Sequence, residues 1–368
     1  MKLMFWMCAA FIAYAYAGYP FLLWIISRYR TRPVLRKKIT PTVSIIIAAR
    51  NERETLPAKL ENLCKLNYPM DRVQIIVVSD GSSDGTAGIL SAQSEIVEPV
   101  ILEKPCGKAS ALNEAVRRAR GEIVVFMDAR QSVDENALSE LVANFWDPEV
   151  GGVSGELILH RDSRSLSDGM GTYWNVEKLV RKLESASGSV VGTTGALYAI
   201  RRSLFDQIPS GTILDDVLIP MNVVRQGKRV VFQPSAIVRD QLSNDKGKEF
   251  SRKVRTMTGN YQLLWLAPWL ITPMNPVLLR FVSHKLLRLL CPLLLVAVLI
   301  ASGLSSGPFY QTVFLIQVSL YGLAAFGALF PLTRRIKIVS ITNTFVMLNA
   351  AAALALYNFV TGKSVMWR

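Results

Sequence analysis

With 368 residues, of which 51% are hydrophobic and 19% charged, the chain is more apolar and less charged than an ordinary soluble domain. Its formal net charge is +14, and a strong excess of positive charge is common among nucleic-acid-binding proteins. Much of that charge flanks apolar segments, however, and the sequence has no helix-turn-helix, zinc-finger or RNA-binding signature. We therefore expect no nucleic-acid partner. The cysteines are scattered without metal-ligand spacing, and the histidines, His160 and His284, are far apart, which argues against a zinc site.

The first apolar segment, residues 3–26, has no charged residue and can cross a hydrocarbon core of roughly 30 Å. A secretory signal peptide is the alternative, but its apolar region would be shorter and would end at a small-residue cleavage site. We predict a transmembrane helix at 1–27 and a basic linker at 28–40 that contacts anionic lipid headgroups. The charges that place this linker in the cytoplasm are Arg28, Arg30, Arg32, Arg36, Lys37 and Lys38.

The C-terminal region, 285–368, contains three further candidates for membrane helices, at about 285–304, 309–330 and 338–360. Basic residues at 334–337 mark a cytoplasmic loop between the last two. The charges of Lys363 and Arg368 fit an external C-terminus poorly. The preceding segment, 261–284, is rich in proline and tryptophan and is predicted to form interfacial helices.

Between the apolar ends, residues 41–260 read as one globular domain in which strands alternate with helices. This pattern predicts an α/β fold, a mostly parallel sheet with helices on both faces. Asn51 and Glu54 resemble a capping box that opens a helix to residue 66, and Asp134 is predicted to cap a helix to residue 145. Strands are predicted at 43–48, 74–79, 98–102, 123–127 and 152–159, followed by a strand pair at 229–239; further helices are predicted at 108–118, 166–185, 215–226 and 249–264.

Chemically useful side chains follow several predicted strands, and in parallel sheets ligands bind beyond the strands' carboxyl ends. Glu52, Asp80 and Asp128 can accept hydrogen bonds from a base and a ribose. Lys108, with Arg252 and Arg255, can neutralise a diphosphate leaving group, and Asp216 is a candidate general base. Each residue taken alone is as well explained as a helix cap, a turn former or a solvated charge.

The order of these motifs resembles that of glycosyltransferase family 2. The resemblance rests on residues 43–52 (VSIIIAARNE), 77–86 (VVSDGSSDGT) and 107–113 (GKASALN), and it covers about residues 42 to 265. The flanking apolar segments are similar in layout to those of hyaluronan, chitin and cellulose synthases. The resemblance implies a GT-A fold, the fold of nucleotide-diphospho-sugar transferases, with α-helical transmembrane segments added.

The resemblance implies that the chain transfers a sugar from a nucleotide-sugar donor with inversion at the anomeric carbon. In many members of the family the donor is UDP-linked. By the same resemblance, Asp216 is the general base of the family's TED motif. Tyr173 and Trp174 are expected on the acceptor side. A divalent ion, Mg²⁺ or Mn²⁺, is expected on the diphosphate, with Asp128 as its protein ligand. The residues expected to bind the nucleotide sugar are Ala49, Glu52, Asp80, Lys108, Asp128, Arg252 and Arg255.

Two departures from the family pattern put details in doubt. The Asp-x-Asp motif reads Asp128-Ala129-Arg130, so the second carboxylate is missing; either Asp134 replaces it or Arg130 supplies positive charge to the phosphates. The QxxRW motif of processive synthases is replaced by residues 252–256 (RKVRT), without Gln or Trp. Loss of that Trp puts chain elongation in doubt.

The sequence thus predicts a multi-pass enzyme of a bacterial inner membrane, with its catalytic domain in the cytoplasm, that extends an exopolysaccharide. A single transfer onto a polyprenyl-phosphate-linked or other lipid acceptor is the close alternative. A non-catalytic receptor and a transporter are less favoured, because the site residues are present and the apolar segments carry no charge away from their ends. Whether an oligomer or export partners are needed stays open.

Overall fold

A computed structural model describes residues 1–160, 168–241 and 246–363. The strands are β1 (Val43–Ala49), β2 (Val73–Asp80), β3 (Glu98–Leu102), β4 (Ile123–Asp128), β5 (Ser132–Val133), β6 (Val150–His160), β7 (Leu197–Arg201) and β8 (Arg229–Gln241). The α-helices are α1 (Lys2–Ala13), α2 (Tyr19–Tyr29), α3 (Leu56–Cys64), α4 (Thr86–Ala92), α5 (Lys108–Arg118), α6 (Ala137–Val142), α7 (Asp168–Ser187), α8 (Asp215–Arg225), α9 (Lys246–Leu266), α10 (Leu278–Phe281), α11 (Leu287–Gly303), α12 (Pro308–Leu329) and α13 (Lys337–Val360).

Among the described residues, the strands form a single sheet of eight in the order β3-β2-β1-β4-β7-β6-β8-β5. Strands β1 to β4 are mutually parallel, β7 runs antiparallel to both β4 and β6, and β8 is parallel to β6. The sheet is therefore mixed and mostly parallel, as predicted. The predicted strand pair at 229–239 is wrong, because these residues form one continuous strand, β8, with irregularities in its pairing to β6.

The sheet separates two apolar layers. Along β1, Ile45 and Ile47 pack with α3 and α6 on one face, whereas Ile46 and Ala48 pack with α5 and α8 on the other. A fully buried parallel strand shows this continuous apolar sequence because both of its faces are covered. Burial on both faces fixes the register and hence the positions of the strand ends.

Two predicted helix starts are wrong. The helix after β1 begins at Leu56, and Asn51 instead adopts the left-handed conformation, with φ of 54°. The helix after β4 begins at Ala137, and Asp134 instead binds Arg239, with 2.8 Å between Oδ1 and Nε. In both places the polar side chain makes a long-range contact that replaces the local cap.

In the part of the chain that the structure describes, four helices are long and apolar enough to cross a membrane: Lys2–Tyr29, Leu278–Gly303, Pro308–Leu329 and Lys337–Val360. We refer to them as the first to fourth apolar helices. Helix α9 continues past the expected boundary at residue 260, and the second apolar helix begins at Leu278 and not at residue 285. The predicted C-terminal end at residue 368 lies outside the described residues.

A buried polar network joins the domain to the first and second apolar helices. The ring of His284 lies between two carboxylates of α7: its Nδ1 is 2.9 Å from Glu184 Oε1 and its Nε2 is 2.8 Å from Glu177 Oε1. Tyr19 donates to Glu184 Oε1 at 2.6 Å, and Arg288 donates to Glu177 Oε2 at 2.8 Å. Helix α7 is thereby fixed against both apolar helices.

Candidate active site

The carboxyl ends of β1, β2 and β4 align at one edge of the sheet. Ala49 pairs with Ser79, and Ala48 pairs with Asp128, so Asp80 and Asp128 follow on either side of the end of β1. Ala49 itself is fully buried. The sheet register therefore brings the predicted strand-end residues to a common rim.

Asp80 stabilises the loop that follows β3 at this rim. Its side chain is fully buried, and its two oxygens accept hydrogen bonds from the amides of Cys106, at 2.6 Å, and Gly107, at 2.9 Å. The next residue, Gly81, has φ of +59°, and a Cβ there would lie 2.4 Å from the nitrogen of Pro105. Asp80 therefore holds the turn that leads into α5, and its expected contact with a nucleotide stays a prediction.

The loop after β1 is tied to the loop after β2. Asn51 Oδ1 accepts from the amide of Ser83 at 2.9 Å, and the amide of Glu52 donates to Thr86 Oγ1 at 3.0 Å. The carboxylate of Glu52 accepts a hydrogen bond from the hydroxyl of Thr55. Glu52 is therefore half-buried at the rim, and its expected contact with the nucleotide remains a prediction.

Lys108, the first residue of α5, lies between two carboxylates. Its Nζ is 3.1 Å from Asp128 Oδ1 and 3.4 Å from Asp215 Oδ2. Burial opposes the charge of Lys108, but Asp128, Asp215 and Asp216 together outweigh burial and raise its pKa. The Lys108 ammonium is therefore a fixed positive charge in the cleft.

Asp216 lies in the first turn of α8, beside this ion pair. Its Oδ2 accepts from the amide of Gly195 at 3.2 Å, and its carbonyl accepts from the amide of Thr193 at 2.8 Å. Burial, reinforced by the neighbouring Asp215 and opposed by Lys108, raises the pKa of Asp216 to about 6. A carboxylate with a pKa near working pH is suited to act as a general base.

Helix α9, which carries Arg252 and Arg255, packs against the segment leading into α8. Gly259 packs against Ile213 and Leu214, and Gln262 Oε1 accepts from the amide of Ile213 at 2.9 Å. Arg255 and Arg252 lie four and seven residues before Gly259, so both lie near the helix face that contacts this segment. The side chain of Arg252 is 41% exposed and lies 4.0 Å from Glu249, and the expected contacts of both arginines with the donor remain predictions.

The two expected acceptor-side aromatics lie on α7. Lys253 covers both, with its Nζ 5.1 Å from the ring centroid of Tyr173 and 4.7 Å from that of Trp174. Trp174 lines a cavity of about 290 Å³, and burial raises the pKa of Tyr173 to about 12. An acceptor role of these two residues remains a prediction.

The cleft can hold a divalent ion only if a single carboxylate serves as its protein ligand. No group of three or more His, Cys, Asp or Glu side chains suited to a metal occurs among the described residues. Asp134 binds Arg239, so in this structure it does not replace the missing second carboxylate, and the charge of Arg130, the other alternative, is paired with Asp240. Asp128, whose side chain is 35% exposed, can still serve as the single carboxylate ligand of an ion held mainly by substrate phosphates.

Two site residues were missed by sequence reasoning. Asp215 was considered only as part of the helix start, although the doubled acid was a visible signal. Lys285 was placed at the start of a membrane segment, yet its Nζ would lie 3.8 Å from a Cβ at Gly192, in the loop that contacts Asp216. In the sequence, Lys285 could have been recognised as one of the charged residues at the start of the second apolar helix.

Comparisons with known proteins point to glycosyltransferases. The model of the family "Glycosyl transferase family 2" matches residues 44–208. A probable glycosyltransferase, YdaM, of Bacillus subtilis (strain 168) is 28% identical over 61% of this chain and 56% of its own length. The poly-beta-1,6-N-acetyl-D-glucosamine synthase of Staphylococcus aureus (strain COL) is 26% identical over 60% of this chain and 55% of its own length. This chain therefore spans about half the length of these curated relatives.

Among solved structures, a mannosyltransferase from Pyrobaculum calidifontis in complex with GDP-Man and Mn²⁺ superposes with a TM-score of 0.72. The two chains are 22% identical, and the superposition covers 98% of this chain and 99% of the other. The likeness confirms the predicted GT-A fold, and it extends over the apolar helices as well as the domain.

Proposed function

The chain carries a family 2 glycosyltransferase domain, and we propose that it is a membrane-bound inverting glycosyltransferase that extends an exopolysaccharide. The observation that carries the proposal is the cleft in which half-buried Asp216, with a pKa raised to about 6, lies beside Lys108 and Asp128. The donor is a nucleotide sugar, which we take to be UDP-linked because of the family resemblance. The setting is a bacterial inner membrane, with the domain in the cytoplasm and the apolar helices crossing the bilayer.

In this mechanism Asp216 accepts the proton of the acceptor hydroxyl as that oxygen attacks the anomeric carbon from the side opposite the diphosphate. Lys108 and Arg255 stabilise the negative charge that develops on the departing nucleoside diphosphate. Asp128 would hold a divalent ion, which when bound supplies further positive charge to the phosphates. Asp80 acts through the turn at 106–107, which positions Lys108.

The test uses the purified full-length chain in lipid nanodiscs and a panel of radiolabelled nucleotide sugars, with and without Mg²⁺ or Mn²⁺. The proposal expects transfer of at least one label to polymer and loss of transfer in Asp216→Asn. Absence of transfer and of hydrolysis for every donor would exclude the enzyme and favour a binding protein.

A single-transfer enzyme that modifies a lipid-linked acceptor is the second candidate. The replacement of QxxRW by RKVRT at 252–256 favours it, because in this stretch Lys253 covers Tyr173 and Trp174. A sizing gel of the labelled product separates the two: a ladder of lengths supports extension, whereas one lipid-extractable species supports single transfer.

A further inference from the structure

Lys108 is shared among three carboxylates of the catalytic cleft. Its Nζ contacts Asp128 and Asp215, at 3.1 and 3.4 Å, and Asp216 lies beside this ion pair. The Oδ2 of Asp216 accepts a hydrogen bond from the Gly195 amide, which carries no net charge. Burial and the neighbouring Asp215 both raise the pKa of Asp216, so its ionised form needs a further cation.

Lys285 approaches Asp216 from the second apolar helix. The point at which a Cβ on Gly192 would stand lies 3.6 Å from the carbonyl oxygen of Asp216 and 3.8 Å from the Nζ of Lys285. Because Gly192 has no side chain, the half-buried lysine comes close to the backbone of the loop 192–195, which binds Asp216 through two amides and a hydroxyl. At this range Lys285, like Lys108, opposes the effect of burial on the pKa of Asp216.

The turn that carries Lys285 is held in place by its neighbours. It is the π-helical turn Val282–Leu286, a distortion that is frequent at functional sites. Ser283 Oγ lies 2.9 Å from the hydroxyl of Tyr14, and the His284 ring lies between two carboxylates of α7. No hydrogen bond or ion pair joins Lys285 to any residue within the described ranges. The ammonium is thus oriented by the turn and free to act on the cleft.

The other charges around these two groups do not replace Lys285. Those that face it are all on α7: Glu177, Arg181 and Glu184. The groups that face Asp216 are Asp215 on its own helix, Lys108 on α5, Asp128 on β4 and the hydroxyl of Tyr198 on β7. Without Lys285, Asp216 would therefore face two carboxylates and one ammonium, a net negative charge.

We propose that Lys285 is a positioning residue of the transfer reaction, whose ammonium attracts the Asp216 carboxylate and completes the catalytic centre from the second apolar helix. Attraction between opposite charges is stronger in a partly buried site than in bulk water. The inference rests on the proposed function, in which Asp216 is the general base. It implies that this base is fully active only while the second apolar helix is docked on the domain.

The experiment follows the ionisation of Asp216 directly, by NMR of aspartate labelled at Cγ, in the full-length chain in nanodiscs without divalent ions or substrate. The signal of Asp216 is assigned by its loss in Asp216→Asn. In Lys285→Met the midpoint should rise by at least about half a pH unit, because a nearby positive charge is lost. Lys285→Arg should keep the wild-type midpoint.

The matched control is Lys337→Met, which removes the same charge from the exposed start of the fourth apolar helix and should leave the midpoint unchanged. An unshifted or lowered midpoint in Lys285→Met overturns the inference. An equal rise in Lys337→Met also overturns it, since the shift would then reflect the total charge of the chain.

Turnover separates an effect on the base from a loss of structure. With the radiolabelled donor that the wild-type chain uses, kcat of Lys285→Met should fall at least about twofold at pH 6 and return to near the wild-type value at pH 8, where Asp216 is ionised in both. The KM for the donor should not change. A loss that is equal at every pH, or a raised KM, would assign Lys285 to folding or to donor binding and refute the inference.

The two measurements also separate this inference from the proposed function. If the wild-type chain transfers no sugar from any donor, the proposed function fails, whereas the NMR midpoint still tests the action of Lys285 on Asp216. If the wild-type chain is active and both the midpoint and the pH profile are unchanged in Lys285→Met, the inference alone fails.

Discussion

The substitution Asp216→Asn removes the group that we expect to accept the acceptor's proton while keeping its size and its contact with the Gly195 amide. General bases contribute about 10² to 10⁴-fold to turnover, so we expect kcat to fall by at least about a hundredfold. UDP affinity should be nearly unchanged, because Lys108 and Asp128 remain. Single-turnover transfer from a labelled donor gives the rate, and calorimetry gives the affinity. Turnover above a tenth of the wild-type value would refute the assignment.

The pH dependence of turnover tests the same residue independently. The base must be ionised, so activity should be lost as pH falls through about 6, the raised pKa of Asp216. With that pKa, about 90% of the enzyme is active at pH 7 and about 10% at pH 5. Asp215→Asn removes a negative charge that raises the pKa of Asp216, so the acidic limb should shift to lower pH. An unshifted limb would show that another group controls the profile.

Three further substitutions test the supporting structure. Lys108→Ala should weaken UDP binding at least tenfold by calorimetry, because the cleft loses its fixed cation; unchanged affinity would place the diphosphate elsewhere. Asp80→Ala leaves the amides of the 106–107 turn without acceptors, which costs about 1–3 kcal/mol for each buried group, so the melting temperature should fall by several degrees. Gly121→Ala should also destabilise the fold, since its Cβ would lie 2.5 Å from the backbone nitrogen of Ser44; an unaltered melting curve would contradict the close approach.

Much of the fold could be predicted from the sequence because a strand that is buried on both faces has a recognisable run of mostly apolar residues. The run at 43–49 is apolar except for Ser44 because both faces of β1 are covered, and the turn motif that begins at Asp80 ends β2 as expected. The joint location of Lys108 and Asp128 followed from the rule that ligands bind beyond the carboxyl ends of parallel strands, whereas Asp216 was assigned to the site by the family resemblance.

What could not be predicted depends on partners that are distant in sequence. Asp80 was predicted only as a ligand of the nucleotide, and its hydrogen bonds to the amides of a turn 26 and 27 residues later were not foreseen. Asn51 was read as a helix cap, and its actual partner is the amide of Ser83. His284 was discounted because no second histidine lies near it, whereas its partners are two glutamates of α7, a hundred residues and more away.

The His284 network has a practical consequence for work on the catalytic domain alone. If residues 41–260 were expressed without the apolar helices, Glu177 and Glu184 would lose the tyrosine, histidine and arginine that now satisfy them. The same truncation would remove the segments that cover both acids, so α7 would lose these hydrogen bonds and expose Val180 and Leu183, which now pack against Tyr19 and Leu23. Fragments without the apolar helices should therefore be less stable than the domain in the full chain, and replacing other surface residues to improve solubility will not restore the contacts of α7.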